Sequence, residues 1–157
     1  HFDGVATVVA KLLLQALPDR AYFGQKDGQQ VAVVKRLVKD LDIPAEIVIV
    51  PTVREPDGLA MSSRNAYLTS EQRAAAPILF RALSAGRDRF RSGVQDREKL
   101  EAASRAMLAQ EPLVDAIDYI AMVDMESMAP WAGRGPCMLV AAIRIGGVRL
   151  IDNVILD

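Results

Sequence analysis

The sequence predicts an α/β chain in two parts: the end of a doubly wound parallel sheet, then a small α+β domain with a three-stranded, mainly antiparallel sheet. Three observations predict it. Helix and strand patterns alternate over residues 1–50, turn residues crowd Pro51 to Asn65, and two helical patterns then precede three strand-like runs. The 157 residues, 51% of them hydrophobic, supply apolar material for one ordinary core or two small ones.

Val5, Val8, Val9, Leu12, Leu13 and Ala16 recur at helical spacing and predict a helix over 3–17, with Asp3 as N-cap and Pro18 as stop. Ala21-Tyr22-Phe23 reads as a short buried strand, and Gly24 to Gly28 as a polar turn. From Gln29 the helical period returns through Val33, Val34, Leu37, Val38 and Leu41, and Ile43-Pro44 ends it. Ala45 to Val50 is β-branched and apolar on both faces, as an interior parallel strand is. Two strands do not make a stable doubly wound sheet alone. Residues 1–51 therefore read as the last part of a larger Rossmann-like domain, with residues 52–157 as a second domain.

Pro51 to Asn65 reads as a long irregular loop with few apolar anchors, and Arg54-Glu55-Pro56-Asp57-Gly58 is turn chemistry. Thr69 and Gln72 offer a capping box. One long Ala-rich helix is expected to follow through Ile78, Leu79, Ala82, Leu83 and Phe90, broken by Gly93. Leu100, Ala103, Met107 and Leu108 predict a second helix over 96–109. Strands are predicted at 116–123, 138–145 and 148–156, the last two joined by a Gly146-Gly147 hairpin turn.

Several function classes are excluded or disfavoured. A net charge of −1 leaves no footprint for nucleic acid or an anionic membrane, and Asp88 and Asp96 dilute Arg87, Arg89 and Arg91 into a solvated face. No apolar run approaches the ~20 residues that span a bilayer. Cys137 is the only cysteine, so no internal disulfide or cysteine zinc site exists; its apolar surroundings read as those of a buried structural thiol, and this fits a reducing cytoplasm. His1 is the only histidine, so neither a Ser/His/Asp triad nor a His metal pair can form. The opening His1-Phe2-Asp3-Gly4 is neither a signal peptide nor an ordinary start, and reads as cut from something longer.

Two segments carry candidate chemistry. Phe23 to Gln30 joins a strand's C-terminal end to a helix N-terminus, where open α/β sheets bind ligands and a helix favours anions. Lys26 adds a full charge, Gly24 leaves room for backbone approach, Asp27 can accept from a ribose, and Gln30 lies one turn into the helix. This is neither a P-loop nor a Gly-x-Gly-x-x-Gly fingerprint, and a solvated turn is the alternative. Asp57 to Asn65 sets Ser62, Ser63 and Arg64 side by side, a combination that grips phosphate, with Met61 able to pad an adenine; a polar linker is the alternative.

Five segments taken together resemble the pantothenate synthetase family: His1 to Leu12, Phe23 to Gln30, Val50 to Glu55, Asp57 to Asn65, and Arg149 to Asn153. The resemblance implies an ATP-dependent ligase, with Mg²⁺ accompanying ATP and no tightly bound cofactor. Its substrates would be pantoate and β-alanine, and its intermediate pantoyl adenylate. It implies that residues 1–51 belong to a Rossmann-like ATP- and pantoate-binding domain, similar to that of class I aminoacyl-tRNA synthetases, and that residues 52–157 form a lid domain. It assigns Lys26, Ser62 and Arg64 to the ATP phosphates and to catalysis, with Ser63 assisting. Gly24 and Asp27 would meet the ribose, Val53 and Met61 the adenine, and Gln30 pantoate. Members typically form homodimers. Gln25 stands where many have Glu, and Gly28 where many have an aromatic or Ala, which loosens the helix start by about 1 kcal/mol. The family's paired-histidine motif and a second pantoate-binding Gln have no counterpart here, so the isolated chain is expected to be inactive. A related nucleotidyl-transfer enzyme, or a non-catalytic fragment serving as a binding or oligomerisation module, are the rival readings.

Overall fold

The structure, a computed structural model, describes residues 2–157. His1, on which the opening motif and the histidine argument touch, lies outside the described residues. The chain separates into two compact units, His1–Thr52 and Val53–Asp157.

The first unit runs α1 (Phe2–Ala16), β1 (Arg20–Gly24), α2 (Gly28–Asp40) and β2 (Glu46–Val50). The strands pair parallel from Arg20↔Glu46 to Gly24↔Val50, so β1–α2–β2 is the predicted parallel crossover. Asp3 is not the N-cap: α1 already includes it in its first turn, where its carbonyl accepts from the Thr7 hydroxyl at 2.8 Å. The helix ends at Ala16 because Leu17 swings to φ +45° ahead of Pro18, its N–H donating back to the Leu13 carbonyl at 2.9 Å. The strands are less buried than their composition predicts. Tyr22 is 63% exposed, and β2 is at best half-buried along its length. A strand buried on both faces needs a packed layer on each, and within this unit α2 is the main helix against the strands.

The second unit contains α3 (Ser70–Ala75), α4 (Ile78–Arg91), α5 (Arg97–Leu108), β3 (Val114–Asp124), β4 (Cys137–Ile145) and β5 (Val148–Leu156). The sheet has order β3-β4-β5 and is antiparallel throughout, with α4 and α5 packed on it. Thr69 and Gln72 form the expected capping box. The single long helix expected after it is instead two, because Pro77 has no N–H to continue the ladder and becomes the N-cap of α4. At the far end Gly93 takes φ +99° while Val94 N–H reaches the Arg89 carbonyl at 3.1 Å, a Schellman closure. Gly146 and Gly147, at φ +58° and +77°, make the predicted tight turn between β4 and β5.

The core lies between helices and sheet: Leu79, Leu83, Leu100, Leu108, Met122, Leu139, Ile143 and Ile145 are essentially inaccessible. At Gly86 the α4 backbone comes so close that an added Cβ would meet Leu139 Cδ2 at 2.5 Å and Ser104 Oγ at 2.9 Å. Cys137 is buried as expected, and burial, helped by the Asp124 charge, pushes its thiol above the usual range, which disfavours a thiolate. Among the described residues no helix is long and apolar enough to cross a membrane.

Candidate functional site

The first unit gathers Gly24, Lys26, Asp27 and Gln30 at one turn. β1 ends at Gly24, Gln25–Asp27 form a single 3₁₀ turn, and α2 starts at Gly28. Gly24 has ordinary extended backbone, φ −72° and ψ 131°, and a Cβ placed there would meet nothing within 4 Å. The space above it is therefore open, and glycine is not required by its torsion angles. Asp27 precedes α2 without capping it, so its exposed carboxylate is not committed to the helix N-terminus. Lys26 and Gln30 are half-buried. The first N–H groups of α2 thus open toward a turn carrying both a cation and a carboxylate.

The second unit gathers Val53, Met61, Ser62, Ser63 and Arg64, and here the structure corrects the expected irregular loop. Residues 53–61 form a tight hairpin. Arg54 and Ala60 are bridged antiparallel, Met61 N–H donates to the Val53 carbonyl at 2.9 Å, and Glu55 N–H to the Leu59 carbonyl at 2.9 Å. The turn closes with Gly58 N–H on the Glu55 carbonyl at 2.9 Å, Gly58 taking φ +93°. Leu59 and Ala60 are buried, anchors that the apolar count of the segment understates. Val53 and Met61, paired across the hairpin, remain 61% and 52% exposed. Ser62 then caps a 3₁₀ helix, Ser63–Tyr67, its Oγ accepting from Arg64 N–H at 3.2 Å. Ser63 and the Arg64 side chain stand exposed, and no hydrogen bond or ion pair engages the Arg64 guanidinium among the described residues.

What fastens this hairpin has no signal in the sequence. Arg54 forks onto Asp152 of β5, Nη1 to Oδ2 at 2.6 Å and Nη2 to Oδ1 at 3.0 Å, and also donates to the carbonyls of Gly58 at 3.1 Å and Asn153 at 3.3 Å. Its guanidinium lies 3.9 Å from the Phe80 ring centroid. The Asp152 side chain is 2% exposed, so removing either partner alone strands a charge, at a cost of about 3–5 kcal/mol. At the hairpin tip Arg73 donates to Asp57 Oδ2 at 2.6 Å, and Leu59 N–H to Asp57 Oδ1 at 3.2 Å. The Arg73 hydrogen bond, foremost, holds the Asp57 carboxyl below the usual carboxylate range. Both Arg54 and Asp152 lie in segments that carry the family resemblance, but 98 positions separate them and no local pattern pairs them.

A parallel βαβ unit with a cationic strand-to-helix turn, followed by an α+β unit whose pinned hairpin leads into a Ser-Ser-Arg turn, makes a two-part α/β protein. The family model for pantoate-beta-alanine ligase matches residues 1–155, and the chain belongs to that family. It is 52% identical to the pantothenate synthetase of Chloroflexus aurantiacus over 159 aligned positions, covering 100% of this chain and 56% of that protein. The crystal structure of the Thermus thermophilus enzyme superposes with a TM-score of 0.92 at 47% identity, covering 98% of this chain and 55% of that one. The Francisella tularensis ligase, complexed with beta-gamma ATP and beta-alanine, superposes at 0.68 with 34% identity, covering 99% and 50%. The chain thus spans about half the length of the relatives it matches.

Proposed function

We propose that this chain supplies the phosphate-gripping part of an enzyme that condenses pantoate with β-alanine, using Mg-ATP. In the first step a pantoate carboxylate oxygen attacks the α-phosphorus, the bond to the bridging oxygen breaks, and pyrophosphate leaves. In the second, the β-alanine amine attacks the acyl carbon of pantoyl adenylate, loses a proton, and AMP leaves as the amide forms. Family membership over residues 1–155 carries this reading. The geometry supports it through the uncommitted guanidinium of Arg64 in the 3₁₀ turn that follows a pinned hairpin, which costs little to reorganise around developing phosphate charge.

Lys26, Ser62 and Arg64 hold the phosphates, Ser63 assists, and Gly24 and Asp27 meet the ribose. Val53 and Met61, apolar and exposed, provide the adenine face, while Gln30 holds pantoate. Mg²⁺ arrives with ATP as substrate. Among the described residues no three His, Cys, Asp or Glu side chains are grouped to hold a resident metal. The chain by itself is inactive on this reading.

AMP release is the test, with ATP, Mg²⁺, pantoate and β-alanine supplied to this chain alone and to this chain joined to the portion of a relative that it does not cover. Turnover only in the joined protein is expected, with Arg64→Ala lowering its kcat by about a hundredfold or more. A joined protein that folds but stays silent overturns the substrate assignment, and turnover by the chain alone overturns its inactivity.

A further inference from the structure

Resting on the nucleotide reading above, we infer that Arg54 is a positioning residue for the reaction: its fork onto Asp152 sets the register from which Met61, Ser62 and Arg64 meet the nucleotide. Its guanidinium spends its donors on two separate stretches of chain. Two go to the Asp152 carboxylate, one to the Gly58 carbonyl at the hairpin turn, and one to the Asn153 carbonyl of β5. The cation's face is closed off by Phe80 of α4, the same ring that a Cβ at Gly58 would strike. Turn, helix and strand are therefore locked through one planar group. Arg54 itself bridges Ala60, the residue immediately before Met61. Any rotation of the hairpin about β5 has to break the fork before it can move Ser62.

Lysine at this position keeps the charge but not the geometry. A point ammonium cannot address both carboxylate oxygens and two carbonyls in one plane, nor stack on the ring in the same way. Arg54→Lys thus leaves Asp152 paired while freeing the hairpin, and so separates positioning from simple burial of an ion pair.

The test has two arms. In this chain, hydrogen exchange is followed at the amides of Met61, Arg64 and Asn65, which report the hairpin and the Ser62 cap, and at Ala141 and Ile143 in β4. In Arg54→Lys the first group should exchange about tenfold faster or more while β4 is unaltered. In the joined protein, Arg54→Lys should lower kcat for AMP formation about ten- to a hundredfold, since displacement of a gripping group by an ångström has that scale of effect. The KM for pantoate should not move. Hairpin amides at wild-type rates overturn the inference. So does equal acceleration in β4, which would make Arg54 a staple of the whole unit, and so does unchanged kcat with a loosened hairpin. Failure of the underlying reading is separately visible: ATP would then slow none of the hairpin amides in the wild-type chain, while the exchange contrast between the wild-type chain and its Arg54→Lys variant would persist.

Discussion

The two units carry comparable candidate chemistry on unequal foundations. In the second, α4 and α5 close over a three-stranded sheet, and large side chains from Leu79 to Leu156 are buried as one cluster. In the first, the buried apolar side chains among the described residues are Leu13, Val31, Ala32, Val34 and Ile43, while Val8, Leu12, Leu14, Leu17, Tyr22 and Leu41 are exposed. The contrast teaches that the hairpin leading to Ser62 and Arg64 is built on a self-sufficient core, whereas the strand-to-helix turn that carries Lys26 is built on two parallel strands, fewer than a stable sheet of that kind needs.

Cutting the chain after Thr52 tests this contrast at its largest. Residues 53–157 alone should melt cooperatively, and residues 1–52 alone should show no cooperative transition by circular dichroism. A sigmoidal melt from 1–52 would mean that two strands and two helices suffice, and would break the contrast. Core truncation comes next. Leu83→Ala, at a fully buried site of α4, should cost about 2–5 kcal/mol in urea unfolding of the second unit. Leu12→Ala, at a site 58% exposed in α1, should stay within about 0.5 kcal/mol. Comparable costs at both sites would show that the exposed face of α1 is covered in solution.

Gly86→Ala sharpens the account of why the second unit is tight. The new methyl group must displace Leu139 Cδ2 and the Ser104 hydroxyl, which is itself held on the Ala82 carbonyl at 3.0 Å. Overpacking of this kind should cost about 1–3 kcal/mol, against the roughly 0.5–1 kcal/mol that Ala normally gains over Gly in a helix. Stabilisation by Gly86→Ala, read from the same urea curves, would show that α4 and the sheet have slack between them.

The same contrast explains how much was legible in the sequence. Elements defined by local rules were readable: the capping box at Thr69, the helix break at Gly93, the Gly146-Gly147 turn and the parallel β1–α2–β2 order. The break at Pro77 is carried by the proline itself, whose missing N–H divides the helix, but the helical spacing of apolar residues passes through it undisturbed and by itself predicts one helix. The candidate residues at each turn could be singled out by type, but cations, hydroxyls and glycine are ordinary at helix starts and in loops, and only the five family-like segments together favoured a site over a solvated turn. Their support could not be singled out. Arg54 finds Asp152 across most of the second unit, and nothing periodic in the chain announces a partnership that exists only once β5 lies beside the hairpin. The exposure of β1 and β2 was equally hidden, because composition records what a strand is suited to pack against rather than what is there to pack.

The smallest expected effect separates a supported ion pair from an unsupported one. Asp57 and Arg73 meet at 2.6 Å with side chains 43% and 32% exposed, while Arg20 and Glu46 in the first unit meet at 2.8 Å with both more than 60% exposed. Arg73, first, and the Leu59 N–H lower the Asp57 pKa from 3.8, and the partner's shift agrees in sign, the Arg73 pKa being raised chiefly by the same hydrogen bond. A carboxyl whose folded pKa is depressed stabilises the fold above its unfolded value. That contribution fades as pH falls from about 3.8 through the lower folded value. Carbon-13 titration of the Asp57 carboxyl in this chain should therefore give a midpoint below 3.8, moving up toward it in 1 M salt because the pair is partly open to solvent. Arg73→Gln should relieve the larger part of the depression, leaving the share due to the Leu59 N–H, without unfolding the unit, since Arg54 still pins the hairpin from its other end. A midpoint at or above 3.8 in the unmodified chain would mean that the tip is not anchored in solution, and that the order of the hairpin rests on Arg54 alone.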